Sequence, residues 1–156
     1  MIDEIDRTIL RILQKDARTS NADIARKVKM APSGILSRLR KLEESGVIER
    51  HETRVNAKAA GRGLTAFTFV HAQEAVGSTK TGQKLASIAG VQEVHYTAGT
   101  AAYLLKLRVA DTEALADILS HIGNIPTVRD TNSVIVLRTI HETSEIPIET
   151  QPKKKP

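Results

Sequence analysis

Cysteine and tryptophan are absent from this sequence, and its only aromatic residues are Phe67, Phe69, Tyr96 and Tyr103. Without cysteine there are no disulfides, thiolate zinc sites or cysteine nucleophiles, a usage that agrees with a reducing cytoplasm. No stretch of about 18 apolar residues is available to span a membrane. The start, MIDEIDRTIL, is acidic and amphipathic, where a signal peptide would carry basic residues ahead of an unbroken apolar run. The expectation is a cytoplasmic protein with no membrane partner. Metal chemistry is equally poorly supplied. His51, His71, His95, His121 and His141 never fall at i, i+4 spacing and no HExxH occurs, so no metal and no cofactor are expected. His71 and His95 could neighbour each other across a sheet, as ordinary surface or core histidines. Asp111 with Glu113, and Glu142 with Glu145, read as helix-cap and tail acids rather than a catalytic pair.

The 156 residues are 40% apolar and 26% charged, enough for one full core or two small ones of about 50 to 90 residues. A piece that small buries only about 60% of its unfolded surface, which favours oligomerisation. The formal charge of +5 matters less than its placement. Between residues 18 and 41 stand Arg18, Arg26, Lys27, Lys29, Arg38, Arg40 and Lys41 against Asp23 alone, a local net of +6. Such a cluster is either a solvated helical face or a phosphate-binding footprint. No aromatic lies within it, so duplex DNA suits it better than a single strand.

Periodicity divides the first fifty residues into three helices. Asp3 is placed to cap the first, whose Ile5, Ile9, Ile12 and Leu13 recur at helical spacing. Ser20, with Asp23 three residues on, opens a second helix carrying Ile24, Ala25 and Val28 inward. A turn over residues 29–31 leads to Pro32, suited to a first helical position because its missing N–H would be unbonded there, and Gly46 supplies the stop. Two helices joined by so short a turn make a helix-turn-helix. On the third helix Ile35, Leu36, Leu39 and Leu42 are expected inward. Ser33, Gly34, Ser37, Arg38 and Lys41 are then left outward, with Arg40 at the edge. That outward set can enter a major groove, where arginine bonds guanine bidentately and serine reaches bases or phosphates. Residues 47–55 read as a strand pair or wing in which Arg50 and Arg54 add backbone contacts.

Residues 56–64, NAKAAGRGL, are small and aperiodic, as expected of a hinge. Beyond them strands alternate with helices. A strand over 65–72 precedes a helix over 80–89, with Leu85, Ile88 and Ala89 inward, and a strand over 91–96. Tyr103, Leu105, Leu107 and Val109 give a period-two strand. A helix capped by Asp111 carries Leu115, Ile118, Leu119 and Ile122, and a strand over 127–137 closes the series. LASIAGVQEV and LADILSHIGNIPTV match in apolar spacing, so the plan is a ferredoxin-like βαββαβ sandwich with helices on one sheet face. Val134, Ile135, Val136 and Leu137 are apolar on both sides, which points to a homodimer through the other face.

The runs IDRTIL, NADIARKV and APSGILSRLRKLEESGVIER resemble the N-terminal domain of the Lrp/AsnC (feast/famine) regulators, and the resemblance continues through both domains. It implies an α+β, two-domain chain. A winged helix-turn-helix over 1–54 and a linker over 55–63 would lead to a RAM-type dimerisation and effector domain over 64–143, then a flexible tail over 144–156. It also implies a transcriptional regulator that is not an enzyme. Its partners would be double-stranded DNA, a homodimer with octamers as the next order of assembly, and an amino-acid effector. Two departures stand out: Lys29 where the family usually has a turn glycine, and Ala31 where it usually has a capping serine. The loop from Thr97 to Tyr103 resembles the family's effector loop, whose G-x-x-D-Y pattern lines an amino-acid pocket. Here Thr97, Gly99, Thr100, Ala101 and Ala102 would contribute, with Thr131 and Ser133 from the last strand, and Ala102 takes the acid's place. Read from its residues alone, the same loop is equally a plain hairpin turn. Two further readings stay open. One is an effector-independent architectural DNA-binding protein, to which Lys153, Lys154 and Lys155 could add phosphate contacts unless that tail is a solubilising or cloning remnant. The other is a siroheme-decarboxylase-like enzyme. Those enzymes share the layout, but their His- and Arg-rich signature meets only HYTAGTAAY in this chain.

Overall fold

Both aspartates at the start of the first helix are used twice. Asp3 is the N-cap, its Oδ1 accepting the Asp6 amide at 2.8 Å, while Asp6 Oδ2 accepts the Asp3 amide at 3.0 Å. This reciprocal box opens α1, Glu4–Lys15, in the computed structural model, which describes residues 2–149. Ser20 caps α2, Asn21–Val28, by accepting the Asp23 amide at 3.1 Å. That helix ends on Lys29 in the left-handed conformation, φ 56°. α3, Pro32–Glu44, begins on an uncapped Ala31 and is closed by Gly46 at φ 71°. Ile9, Leu10, Ile24, Ala25, Ile35 and Leu42 form the buried core of the three helices.

No strand forms between α3 and residue 64, so the strand pair expected over 47–55 is absent. The amides of Val47 and Ile48 instead both bond the Leu42 carbonyl, finishing the helix end. The polar run after them has no partner strand, and Val55 is exposed. The expected hinge is a hydrogen-bonded turn, in which Asn56 Oδ1 accepts the Ala59 amide at 3.0 Å and its carbonyl accepts from Ala60.

The second unit is a four-stranded antiparallel sheet in the order β2-β3-β1-β4, built from β1 (Leu64–Ala72), β2 (Val91–Tyr96), β3 (Tyr103–Val109) and β4 (Val128–Ile135). Helices α4 (Lys80–Ala86) and α5 (Thr112–Gly123) complete the βαββαβ order. β3 alternates as expected: Tyr103, Leu105, Leu107 and Val109 are buried, together with Ala66, Val70, Leu85, Leu115, Ile118 and Ile122. α4 is shorter than its periodicity suggested. Ser87 caps it, and Gly90, at φ 96°, turns the chain into β2, where an added Cβ would meet Ile118, the Arg108 carbonyl and Val109. Ala89 is consequently exposed. Register places Phe67 beside Lys106 and Val134, and Phe69 beside Leu104 and Asn132, on the face that carries no helix. Phe67, Phe69 and Val134 remain exposed there. His71 and His95 are separated by β3 and do not neighbour each other, because the sheet order sets β2 outside.

The chain divides into a unit of residues 54–140 and a helical unit that combines the described residues up to Thr53 with those from His141 onward. The stretch over 144–149, expected as a flexible tail, therefore belongs to the helical unit, where Ile148 packs against the core. Lys153, Lys154 and Lys155 lie outside the described residues.

Candidate nucleic-acid interface and effector loop

At 100° per residue, Ile35, Leu39 and Leu42 define the inner direction of α3. Arg38 then lies about 60° to one side of Ile35 and Leu36 about 100° to the other. The structure follows these angles. Leu36 is exposed, against expectation, and Arg38 is turned toward α1. Arg38 Nη1 donates to Asp3 Oδ2 at 2.6 Å and Asp6 Oδ1 at 2.7 Å, the oxygens that the capping box leaves over. Arg38, placed outward by the sequence reading, is thus spent on joining two helices. The Asp6 amide, and then Arg38, hold the Asp3 carboxyl below its ordinary range, while the bonds to Asp6 and Asp3 raise the guanidinium.

Ser33, Ser37, Arg40 and Lys41 are exposed, and Arg40 is well inside the outward face rather than at its edge. Arg40 and Lys41 make no ion pair among the described residues, as do Arg18, Lys27 and Lys29, so this surface stays positive. Gly34 is half-buried. A Cβ there would stand 3.1 Å from Met30 Cε, so packing against the turn accounts for the glycine. Arg50 is exposed and pairs with Glu52 at 2.5 Å; Arg54 is exposed. On α2, Asp23 is bonded by Ser20 and by Arg26, and the Ser20 hydroxyl is the main reason its pKa is lowered.

The loop between β2 and β3 is a closed hairpin. The Thr97 amide donates to the Ala102 carbonyl at 2.9 Å, the Thr97 hydroxyl to the Ala101 carbonyl at 2.7 Å, and the Ala102 amide to the Val70 carbonyl at 3.0 Å. Ala101 is buried, and Ala102 packs against the sheet core. Gly99 and Thr100 are exposed, and nothing lies within 4 Å of a Cβ built on Gly99. Gly99 does not take a positive φ, so backbone conformation is not what requires glycine there. Thr131 pairs with Val70, and Val70 with Tyr103, so Thr131 reaches the same end of the sheet as the loop. Ser133 is a step further along and shares a 2.9 Å hydrogen bond with the Thr68 hydroxyl.

Two residues that the sequence reading did not place at the loop organise this end. His71 Nδ1 donates to the Thr100 carbonyl at 3.0 Å and so holds the loop from β1. Glu74 accepts the Tyr103 hydroxyl, the Ser78 hydroxyl at 2.8 Å and the Thr81 amide at 3.4 Å. Burial, then the Glu74 carboxylate, pushes the Tyr103 phenol up to about 12. The spacing Glu74, Ser78, Thr81 ahead of a helix was the available signal for Glu74. No such pattern marks His71, whose partner comes from a different strand connection. Among the described residues, no group of three or more His, Cys, Asp or Glu is placed to hold a metal ion, and no helix is long and apolar enough to cross a membrane.

A winged helix-turn-helix DNA-binding family matches residues 2–49, and the Lrp/AsnC ligand-binding domain matches residues 65–146. The chain belongs to the Lrp/AsnC family. It is 37% identical over 147 residues to the HTH-type transcriptional regulator FL11 of Pyrococcus abyssi, covering 94% of this chain and 97% of that protein. Among solved structures, the feast or famine regulatory protein of M. tuberculosis in complex with L-methionine superposes with a TM-score of 0.88 at 32% identity, over 96% of this chain and 100% of that one. A transcriptional regulator of Neisseria meningitidis in complex with L-Met gives 0.86 at 26% identity, over 94% and 97%. The fold is therefore that of an Lrp/AsnC regulator, with a helix-turn-helix domain and a ligand-binding domain. The function is that of a DNA-binding transcriptional regulator rather than an enzyme.

Proposed function

We propose that this regulator reads duplex DNA with the outward face of α3. Ser33, Ser37, Arg40 and Lys41 would enter the major groove, with Gly34 letting the turn approach and Arg50 and Arg54 on the flanking backbone. The observation that carries this reading is the pair Arg40 and Lys41, exposed on a helix face whose other members are small and polar. Arg38 is reassigned from the groove to the α1–α3 contact. Phe67, Phe69 and Val134 on the uncovered sheet face support a homodimer through the second unit, which supplies the two-fold symmetry that paired half-sites require. Octamers would be assembled from such dimers. The loop from Thr97 to Ala102, with Thr131 and Ser133 nearby, is the proposed effector site, and the methionine complexes of two similar structures support an amino acid as its ligand. Ala102 offers no carboxylate to a ligand ammonium, so binding there would rely on backbone carbonyls and hydroxyls.

Selection on random duplex DNA, with and without methionine and the other amino acids, tests all of this together. A consensus preferred by about 10³ at fixed salt is expected. Arg40→Ala should lower cognate affinity by about 1–3 kcal/mol if it reads a base, or lower all affinities and the salt slope by about one if it meets phosphate. Equal affinity for all sequences would leave an architectural DNA-binding protein. Phe67→Asp should turn the dimer into a monomer in sedimentation, and Gly99→Leu should abolish amino-acid binding while leaving the dimer intact.

A further inference from the structure

The outer side of α1 holds an extended peptide, and that peptide is a later part of the same chain. Gln14 makes both hydrogen bonds that a strand partner would make to Ile146: its Oε1 accepts the Ile146 amide at 2.6 Å, and its Nε2 donates to the Ile146 carbonyl at 3.1 Å. Arg7 Nη1 donates to the Glu149 carbonyl at 3.3 Å. The two helix residues are seven apart, which puts them on one face about 10.5 Å apart along the axis. Three extended residues, from Ile146 to Glu149, span about 10 Å. The repeat of the helix thus matches the repeat of a peptide running antiparallel to it. Pro147 has no amide to satisfy between these contacts, and Ile148 packs against the three-helix core while Ile146 is left largely exposed. A cavity of about 510 Å³ lies beside this contact, lined from α1 by Thr8, Arg11, Ile12, Gln14 and Lys15 and on its other side by the peptide segment itself. Arg7 Nε is buried without a hydrogen-bond partner, while Nη1 of the same guanidinium makes the contact to Glu149.

We infer that α1 carries a docking surface for an extended peptide whose occupant is residues 145–149. The DNA-binding unit is then built from two separate stretches of the chain. The ligand-binding unit, residues 54–140, is inserted between them and leads into the DNA-binding unit at both of its chain exits. One exit is the turn before β1; the other is the stretch after β4, the strand that carries Thr131 and Ser133. The chain that leaves β4 therefore runs into the segment hydrogen-bonded to α1, and a fragment that stops at Arg54 lacks part of its own domain. This goes beyond the functional reading above and requires neither DNA nor a ligand.

Amide hydrogen exchange on the full chain, free of DNA and amino acids, tests it. The Ile146 amide should exchange about tenfold or more slowly than an unstructured peptide amide. Gln14→Ala should return it to the unprotected rate, and Ile148→Ser should do the same by releasing the anchor while leaving Gln14 in place. Either variant should also raise exchange in α1 and leave β3 unchanged. Full-rate exchange of Ile146 in the wild type, or protection that survives both substitutions, would overturn the assignment.

Discussion

The two units of this regulator are held together by different means. In the ligand-binding unit, eleven buried apolar residues form one cluster, with β3 alternating strictly into it. In the DNA-binding unit six apolar residues are buried among the described residues. Polar ties supply what that core lacks: the Asp3–Asp6 capping box, the Arg38 clamp onto the same two carboxylates, and the segment that Gln14 and Arg7 hold. A domain this small cannot bury enough surface to rely on packing alone. Charge-assisted hydrogen bonds, worth about 1.5 to 3 kcal/mol each, therefore carry a larger share of its stability. The contrast also accounts for the position of Arg38, which joins α1 to α3 through Asp3 and Asp6.

The sharpest way to test the contrast is to remove packing from one unit and charge from the other. Leu107, fully buried in the centre of the sheet, should cost about 2–5 kcal/mol when changed to alanine. In denaturant unfolding followed by residue-resolved exchange, the loss should be confined to the ligand-binding unit. A loss shared equally by α1–α3 would mean that the units do not unfold independently.

Arg38→Ala should cost the DNA-binding unit about 1.5–3 kcal/mol, the next largest effect. Because Asp3 is depressed in the folded state, its contribution is present above the ordinary carboxylate value and is lost as pH falls through the lowered one. The wild-type unit should therefore lose stability below about pH 4, and the variant should show a shallower loss. The Asp6 amide, the larger cause of the shift, remains in the variant, so some acid dependence should persist. Retention of full stability together with loss of cognate binding would return Arg38 to the groove.

Smaller gains are expected at the turn. Lys29, at φ 56°, adopts a left-handed conformation that costs a side chain about 1 kcal/mol, so Lys29→Gly should stabilise the DNA-binding unit by up to that amount. Ala31 has an extended cap geometry and no side-chain cap bond, and Ala31→Ser should add about 1 kcal/mol. Thermal melting of each variant measures both, and the ligand-binding unit should not respond.

Periodicity and local chemistry alone dictated the nine elements described, three of the helix caps and the one-sided sheet. Each of these depends on residues within a few positions of one another. The outward position of Arg40 and the inward turn of Arg38 were also available from the helical angle, once Leu36 is not counted as core. Folding decided what depends on distant residues. Arg38 finds Asp3 and Asp6 some thirty positions away, and His71 finds the Thr100 carbonyl across the sheet. Gln14 finds Ile146 from the far side of an inserted domain. The strand pair expected over 47–55 is absent for the same reason: a run of residues becomes a strand only when another strand lies beside it to accept its hydrogen bonds. Residues 47–55 have none.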